Sequence, residues 1–213
     1  MIELRSLTKR FDGVLAVDGF DLRVEQGARV AVLGPSGCGK TTMLRLVAGL
    51  ELPDGGSVLI DGGEASRAGW AAAPHTRGIG FVFQEASLFP HMSVAENVGY
   101  GLDGPRVARR DRVEGLLAGV GLESLAERRP GTLSGGQQRR VALARALAPS
   151  PRRLLLDEPF TNLDDVARGE LLGLTERLVA TLGTTLLLVT HDRGEAEALG
   201  CRIVRMEAGA RVG

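Results

Sequence analysis

Apolar and polar positions alternate near the start of the chain. Ile2 and Leu4 are set among polar neighbours, and so are Phe20, Leu22 and Val24, the period-2 pattern of half-buried β-strands. "RVAVLG" (29–34) is a short apolar run entering a glycine-rich loop. "KTTMLRLVAGL" (40–50) follows as a helix ended by Gly49 and the turn "PDGG". "SVLIDG" (57–62) and "IGFVFQ" (79–84) read as two more strands. From about Ser87 to Ala148 the pattern is helical, through "SVAENVGYGL", "RVARRDRVEGLLAGV" and "GGQQRRVALARALA". Then "RLLLDEP" reads as a buried strand, "VARGELLGLTERLVATL" as a helix and "TTLLLVTHD" as another buried strand. A short helix, "RGEAEALG", and a hairpin around Gly209 complete the pattern. Strands alternating with helices predict an α/β fold, a mostly parallel sheet with helices on its faces. The helical middle is expected to be an inserted lobe.

Composition adds exclusions. The chain of 213 residues is long enough for one substantial core or two small lobes, and its 44% apolar content excludes a disordered chain. Lys+Arg and Asp+Glu are both 26, so net charge gives no reason to expect nucleic acid or an anionic membrane as partner. The arginine-rich stretch from Arg106 to Arg112 therefore reads as a solvated helix face. No apolar run reaches the ~20 residues of a membrane span. "MIELRSLTKRF" lacks a signal peptide's apolar core, so a cytosolic protein is expected. Cys38 and Cys201 are expected to be free thiols. The 30 glycines are about double the usual ~7% share, so only glycines inside motifs carry weight.

"GPSGCGKTT" (34–42) fits G-x-x-x-x-G-K-[ST] and lies between a strand and a helix, the context that motif requires. Its backbone, running from Gly34 through Pro35, Ser36, Gly37, Cys38 and Gly39 to Lys40, Thr41 and Thr42, would form a nest for phosphate oxygens, every residue but Pro35 offering an N–H. The helix dipole adds positive potential there. Lys40 would reach the β- and γ-phosphates of a nucleotide, and the Thr41 hydroxyl would ligate Mg²⁺. Cys38 within the loop is either a thiol activated by Lys40 or a small tolerated side chain, and the second reading is preferred. Downstream, Asp157 and Glu158 end a buried strand. Asp157 suits Mg²⁺, and Glu158 suits a general base for an attacking water. His191 ends the next apolar strand, where α/β sheets bind ligands, and could hold the γ-phosphate, Glu158 or the water. His75 and His91 lack partner motifs and read as structural.

"LSGGQ" (133–137) opens a helix with Ser134, Gly135, Gly136 and Gln137. It is a second anion-binding helix N-terminus, yet it has no lysine.

Together these motifs resemble one family, the ATP-binding subunits of ABC transporters. The resemblance covers nearly the whole chain. Phe11 sits where that family stacks an aromatic ring on adenine. Residues 34–42 match its Walker A loop, Gln84 its Q-loop glutamine (a Mg²⁺ contact and sensor of the membrane partner), and "LSGGQ" its signature. "LLLDEP" matches Walker B, "TNLDD" the D-loop with Asp164, and His191 the switch histidine. The resemblance implies a P-loop NTPase core with an N-terminal antiparallel β subdomain, spanning 1–86 and 149–213, and an inserted helical subdomain at 87–148. It implies ATP and Mg²⁺ as ligands, with Glu158, His191 and Gln84 in catalysis. It also implies pairing of two cassettes head to tail, so that Ser134, Gly135, Gly136 and Gln137 close on the partner's ATP and Asp164 lies at the same interface. That would explain a phosphate loop without lysine, because Lys40 of the other chain supplies the charge.

Three departures stand out. Arg153 replaces a usual apolar residue, so the strand is expected to begin at Leu154. Arg139 replaces a common glutamine, and Thr161 a frequent serine. "LFPHMSVAENVGYGL" (88–102) is similar to the corresponding stretch of importer cassettes for sugars, polyamines, iron and thiamine, where it and the Q-loop form the groove for membrane subunits. An importer cassette is therefore expected, peripheral on the inner face of the membrane through its permease and linked indirectly to a binding protein. The chain stops at Gly213, where many relatives add a regulatory domain, so it reads as a minimal or truncated cassette. A soluble ABC ATPase in DNA repair or translation is the alternative, disfavoured by neutral charge and the lack of fused cassettes. A non-hydrolysing regulatory module is disfavoured by intact Lys40, Glu158 and His191.

Overall fold

A computed structural model describes residues 1–212. Strands β1 (Ile2–Phe11) and β2 (Val14–Val24) form a long hairpin, and β3 (Arg29–Leu33) then leads through the glycine-rich loop into α1 (Lys40–Ala48). Strands β4 (Gly55–Ile60), β5 (Gly63–Arg67), β6 (Trp70–Ala71) and β7 (Ile79–Val82) follow. The middle contains α2 (Val94–Gly99), α3 (Arg106–Gly119) and α4 (Gly135–Leu147). Last come β8 (Arg153–Asp157), α5 (Asp165–Leu182), β9 (Thr185–Thr190), α6 (Arg193–Ala198), β10 (Arg202–Glu207) and β11 (Ala210–Val212).

The strands form two sheets. One is antiparallel, in the order β2-β1-β4-β5-β6. The other, β11-β10-β3-β9-β8-β7, is parallel except for the β10–β11 hairpin at its edge. Both β8 and β9 are buried throughout, which is why they read as continuous apolar runs rather than alternating ones. Their side chains still alternate between two cores. Leu154, Leu156, Leu186 and Leu188 pack towards the helical middle and α5, whereas Leu155, Leu187 and Val189 pack towards α1 and the antiparallel sheet. The order β3-β9-β8 places the ends of these strands side by side, and their C-terminal ends carry the candidate site.

Three details depart from the sequence reading. The hairpin β5–β6 was not expected, because "GEASRAGWA" shows no alternation and only Ala65 and Ser66 are buried in it. Strand β8 begins at Arg153, not Leu154. Arg153 is only 3% exposed, pairs with Asp61 and donates to the Arg77 carbonyl. A buried arginine is tolerated at that end because Asp61 meets it from the end of β4. Third, Arg112 is not merely solvated. It donates to the carbonyls of Leu147 and Ala148 and to the Ser150 hydroxyl, closing the C-terminal end of α4. The rest of the Arg106–Arg112 stretch is exposed. Cys38 and Cys201 are free, and burial pushes the Cys201 thiol up to about 11.

The Arg153 guanidinium, first, and then the Met1 ammonium hold the Asp61 carboxyl down at about 2. A depressed carboxyl stabilises the fold above its ordinary value near 3.8, and that contribution is lost as pH falls towards 2. Asp61 is half-exposed, so solvent screening discounts the pair. Asp61→Asn is expected to cost about 1–2 kcal/mol at pH 7. Urea titrations of both proteins should show the gap closing between about pH 4 and pH 2. A pH-independent gap would contradict the ion-pair account.

Candidate functional site

The loop after β3 turns where only glycine fits. A Cβ on Gly34 would lie 2.2 Å from the Met206 carbonyl oxygen and 2.6 Å from Cys38 Sγ. Gly39 has φ +104°, and a Cβ there would lie 2.0 Å from the Ala16 carbonyl oxygen. These close approaches press the loop against β10 and β2. Cys38 is buried in the apolar core beneath the loop, so the structure favours a packing role for it. Lys40 begins α1 and is only 4% exposed. Its ammonium donates to the Gly34 and Pro35 carbonyls at 2.8 and 2.9 Å and lies 3.5 Å from Glu158 Oε1. A cavity of about 240 Å³ opens there, lined by Ser36, Gly37, Gly39, Lys40, Thr41, Thr42, Gln84, Glu158 and Ala16. Larger cavities lie elsewhere, such as one of about 410 Å³ beside Asp61 and Arg153, but none of them joins this cluster of groups.

The Thr41 hydroxyl donates to Asp157 Oδ1 at 2.9 Å. Burial pushes the Asp157 carboxyl up, the Thr41 hydrogen bond opposes that, and neighbouring Glu158 adds to it. Thr41 and Gln84 line the cavity, and Asp157 is joined to Thr41 beside it, so all three bring hard oxygen donors to one place. No three His, Cys, Asp or Glu side chains gather as a metal cluster among the described residues. This donor set fits Mg²⁺, which takes one or two protein ligands and keeps waters and phosphate oxygens.

Glu158 follows β8 with φ +41°, an unusual conformation for a non-glycine residue. Its N–H donates to the Val189 carbonyl at 3.0 Å, which fixes the turn against β9. Its carboxylate meets three groups: Lys40, His191 Nδ1 at 3.2 Å and the Thr161 hydroxyl at 3.4 Å. Strain held by surrounding contacts at a carboxylate is a common feature of functional sites. The Thr161 contact was invisible in the sequence, where Thr161 appeared only as a departure from serine.

The other candidate residues lie apart. Phe11 is 42% exposed at the end of β1, with the Lys9 ammonium 5.2 Å from its ring centre. Ser134 caps α4: its hydroxyl accepts from the Gln137 N–H, and the Gln137 side chain accepts from the Ser134 N–H. Gln137 therefore serves the helix terminus, leaving the Ser134 O–H as an outward donor. Gly135 has open space around it, and a Cβ on Gly136 would meet only Ala167 Cβ, at 3.4 Å. Asp164 caps α5 by accepting from the Ala167 N–H at 2.9 Å. None of residues 133–137 lines the cavity at Lys40.

Arg139 and Arg145 of α4 hold the segment containing Gln84. Arg139 donates to the Phe83 carbonyl, and Arg145 to those of Ala86 and Ser87. Burial lowers the pKa of both guanidinium groups. The sequence marked Arg139 only as a substitution, and no local pattern announced its reach across 56 residues.

A family model described as "ABC transporter" matches residues 17–161. The chain belongs to the ABC transporter family. The Fe(3+) ions import ATP-binding protein FbpC of Mesorhizobium japonicum is 45% identical over 209 residues, covering 98% of this chain and 58% of that relative. The spermidine/putrescine import ATP-binding protein PotA of Nitratidesulfovibrio vulgaris is 47% identical, covering 98% and 56%. The chain thus spans little more than half the length of these ABC relatives. Among solved structures, the dimeric bacterial ABC transporter cassette MJ0796 superposes with a TM-score of 0.90 at 34% identity, covering 100% of this chain and 97% of that one. The α/β architecture with two sheets is that of these ABC cassettes.

Proposed function

We propose that this chain is the ATP-hydrolysing cassette of an ABC importer, with Mg²⁺ as cofactor. The observation that carries the reading is the cluster at the ends of β3, β8 and β9. There Lys40, Thr41 and Glu158 line one cavity, with Asp157 bonded to Thr41 and His191 to Glu158 behind them. The backbone of residues 34–42 and Lys40 hold the phosphates. Thr41, Asp157 and Gln84 would hold Mg²⁺, which supplies charge neutralisation between the phosphates. Glu158 accepts the proton of the attacking water, and His191 fixes the Glu158 carboxylate and the transferred group. Phe11 stacks on the adenine.

The working unit in this reading is a head-to-tail pair of cassettes, a homodimer or two related chains, with Ser134, Gly135, Gly136 and Asp164 at the interface. Two adjacent glycines in the first turn of α4 each cost about 0.5–1 kcal/mol relative to alanine. Nothing in this chain crowds Gly135, so the reason for a glycine there lies outside it. The dimeric MJ0796 cassette supports this arrangement. Residues 1–86 and 149–213 form the ATP-binding core with its β subdomain, and 87–148 the helical unit, although Gly213 lies outside the described residues. Separate permease subunits dock at the groove of Gln84 and residues 88–102, placing the cassette on the inner membrane face, with a binding protein engaged only indirectly. Relatives named for iron, polyamine and sulfate import match at 45–47% identity, which supports import and leaves the cargo open. Among the described residues no helix is long and apolar enough to cross a membrane.

Lys40→Ala tests the phosphate loop. Loss of a charge-assisted contact to phosphate is worth roughly 1.5–3 kcal/mol, so ATP affinity should fall about ten- to hundred-fold. Calorimetry that shows unchanged affinity would overturn the assignment.

A further inference from the structure

One buried acid has no place in the chemistry above. Glu195, in α6, is 6% exposed. Burial, the main cause, together with nearby Asp192, pushes its carboxyl up. It accepts a hydrogen bond from the Thr190 hydroxyl, and Thr190 is itself 1% exposed at the end of β9. The same Thr190 oxygen accepts from the Asp192 N–H at 3.0 Å. His191 lies between these two residues, with Nδ1 at 3.2 Å from Glu158. The Thr190 hydroxyl therefore bridges a buried carboxyl to the backbone on the far side of His191. Asp192 is fixed as well. Its Oδ1 accepts from the Gly194 and Glu195 N–H groups at 2.7 and 3.4 Å, and its Oδ2 lies 3.8 Å from Arg168 Nη1 of α5. Arg168 also has a buried Nε without a partner.

We propose that Glu195 is a positioning residue for His191, acting through the Thr190 hydroxyl, with the Arg168–Asp192 pair as a second tether on the opposite side of the loop. This rests on the reading of His191 as a participant in turnover. Half of the His191 side chain is exposed, so packing alone does not hold the ring in place. The backbone before and after it must be held instead, and both holds converge on Glu195 and Asp192. Glutamine at 195 keeps an acceptor for the Thr190 hydroxyl, and alanine leaves that hydroxyl without its partner. Glu195→Ala should lower kcat about tenfold with the KM for ATP within twofold, whereas Glu195→Gln should stay within about threefold of wild type. Arg168→Ala should lower kcat about two- to threefold.

The chain has three histidines, His75, His91 and His191, so ¹⁵N-histidine spectra can be assigned by substitution. In Glu195→Ala the His191 resonances should shift or broaden, with those of His75 and His91 in place. That pattern separates loss of positioning from general unfolding, which would move all three. If Glu195→Ala is too unstable to study, Thr190→Val removes the bridging hydroxyl at nearly constant volume and should reproduce the kinetic and spectral changes. His191→Ala provides the control for the underlying reading. If it turns over normally, that reading fails. If His191→Ala is impaired while Glu195→Ala and Thr190→Val keep wild-type kcat and an unmoved His191 signal, the positioning proposal alone is overturned. Equal kcat loss in Glu195→Ala whether position 191 is histidine or alanine would also overturn it, because the effect would then not pass through the ring.

Discussion

Glu158→Gln should bind ATP and fail to hydrolyse it. The substitution keeps the shape of the side chain, so hydrogen bonding to Thr161 and His191 survives. It removes the carboxylate proposed to take a proton from the attacking water. General-base catalysis contributes typically 10²–10⁴-fold, so steady-state phosphate release should fall by at least about a hundredfold. Affinity should hold or rise, because Lys40 loses a competing carboxylate 3.5 Å away and one negative charge disappears beside the phosphates. If the cassettes pair around ATP, a form that binds without turning over should accumulate as a dimer. Size-exclusion chromatography with Mg·ATP reads this directly. A monomeric variant that releases phosphate at the wild-type rate would remove Glu158 from the mechanism.

Ser134→Arg should also bind ATP without turning it over, but as a monomer that does not close into the ATP-held dimer. Ser134 is exposed at the N-terminus of α4 and contributes nothing to the cavity at Lys40, so the chain's own nucleotide should not register the change. Across a head-to-tail interface the long side chain would block closure on the partner's phosphates. Hydrolysis should fall by a factor of a hundred or more, on the order of removing one anion-stabilising donor. Mixing it with Lys40→Ala sharpens the test. In the heterodimer both lesions fall on one composite site, the other site is intact, and turnover should partly return. The decisive measurement is ATP affinity of Ser134→Arg at concentrations where it is monomeric. An affinity that collapses as in Lys40→Ala would mean that the signature loop serves its own chain.

The site was legible wherever its residues sit in contiguous runs. Residues 34–42 and the ends of β8 and β9 announce themselves because a buried parallel strand is apolar until the residue that leaves the sheet. That residue is then free to be chemical: Gly34, Glu158, His191. The two central strands were visible for the same reason. What stayed hidden is contact across the chain. Arg153 looked misplaced because its partner, Asp61, follows a strand of the other sheet. Thr161, Arg139 and Glu195 act through hydrogen bonds to atoms that no local pattern pairs with them. The β5–β6 hairpin escaped because a two-residue strand with exposed side chains has no periodicity to read. Gln137 was read as a ligand for phosphate, and the structure gives its side chain a second occupation, closing the helix on Ser134.

The grip of Arg139 and Arg145 on residues 83–87 has a mechanical consequence. Eleven residue steps along the helix take Arg145 to Ser134, an arm of about 16 Å. Arg145 is clamped to Ala86 and Ser87 and also stacks 5.5 Å from the ring centre of Phe89. A load that displaces Phe89 and its neighbours is therefore delivered to one end of a stiff rod with Ser134 at its tip. A tilt of only about 5° about the clamped end would sweep that tip through about 1.4 Å, given the arm length above. In the proposed pair, a hydrogen bond from Ser134 to the partner's phosphate would not survive such a step. Loosening the Arg145 clamp in that head-to-tail pair is therefore expected to change turnover without altering any group of residues 34–42.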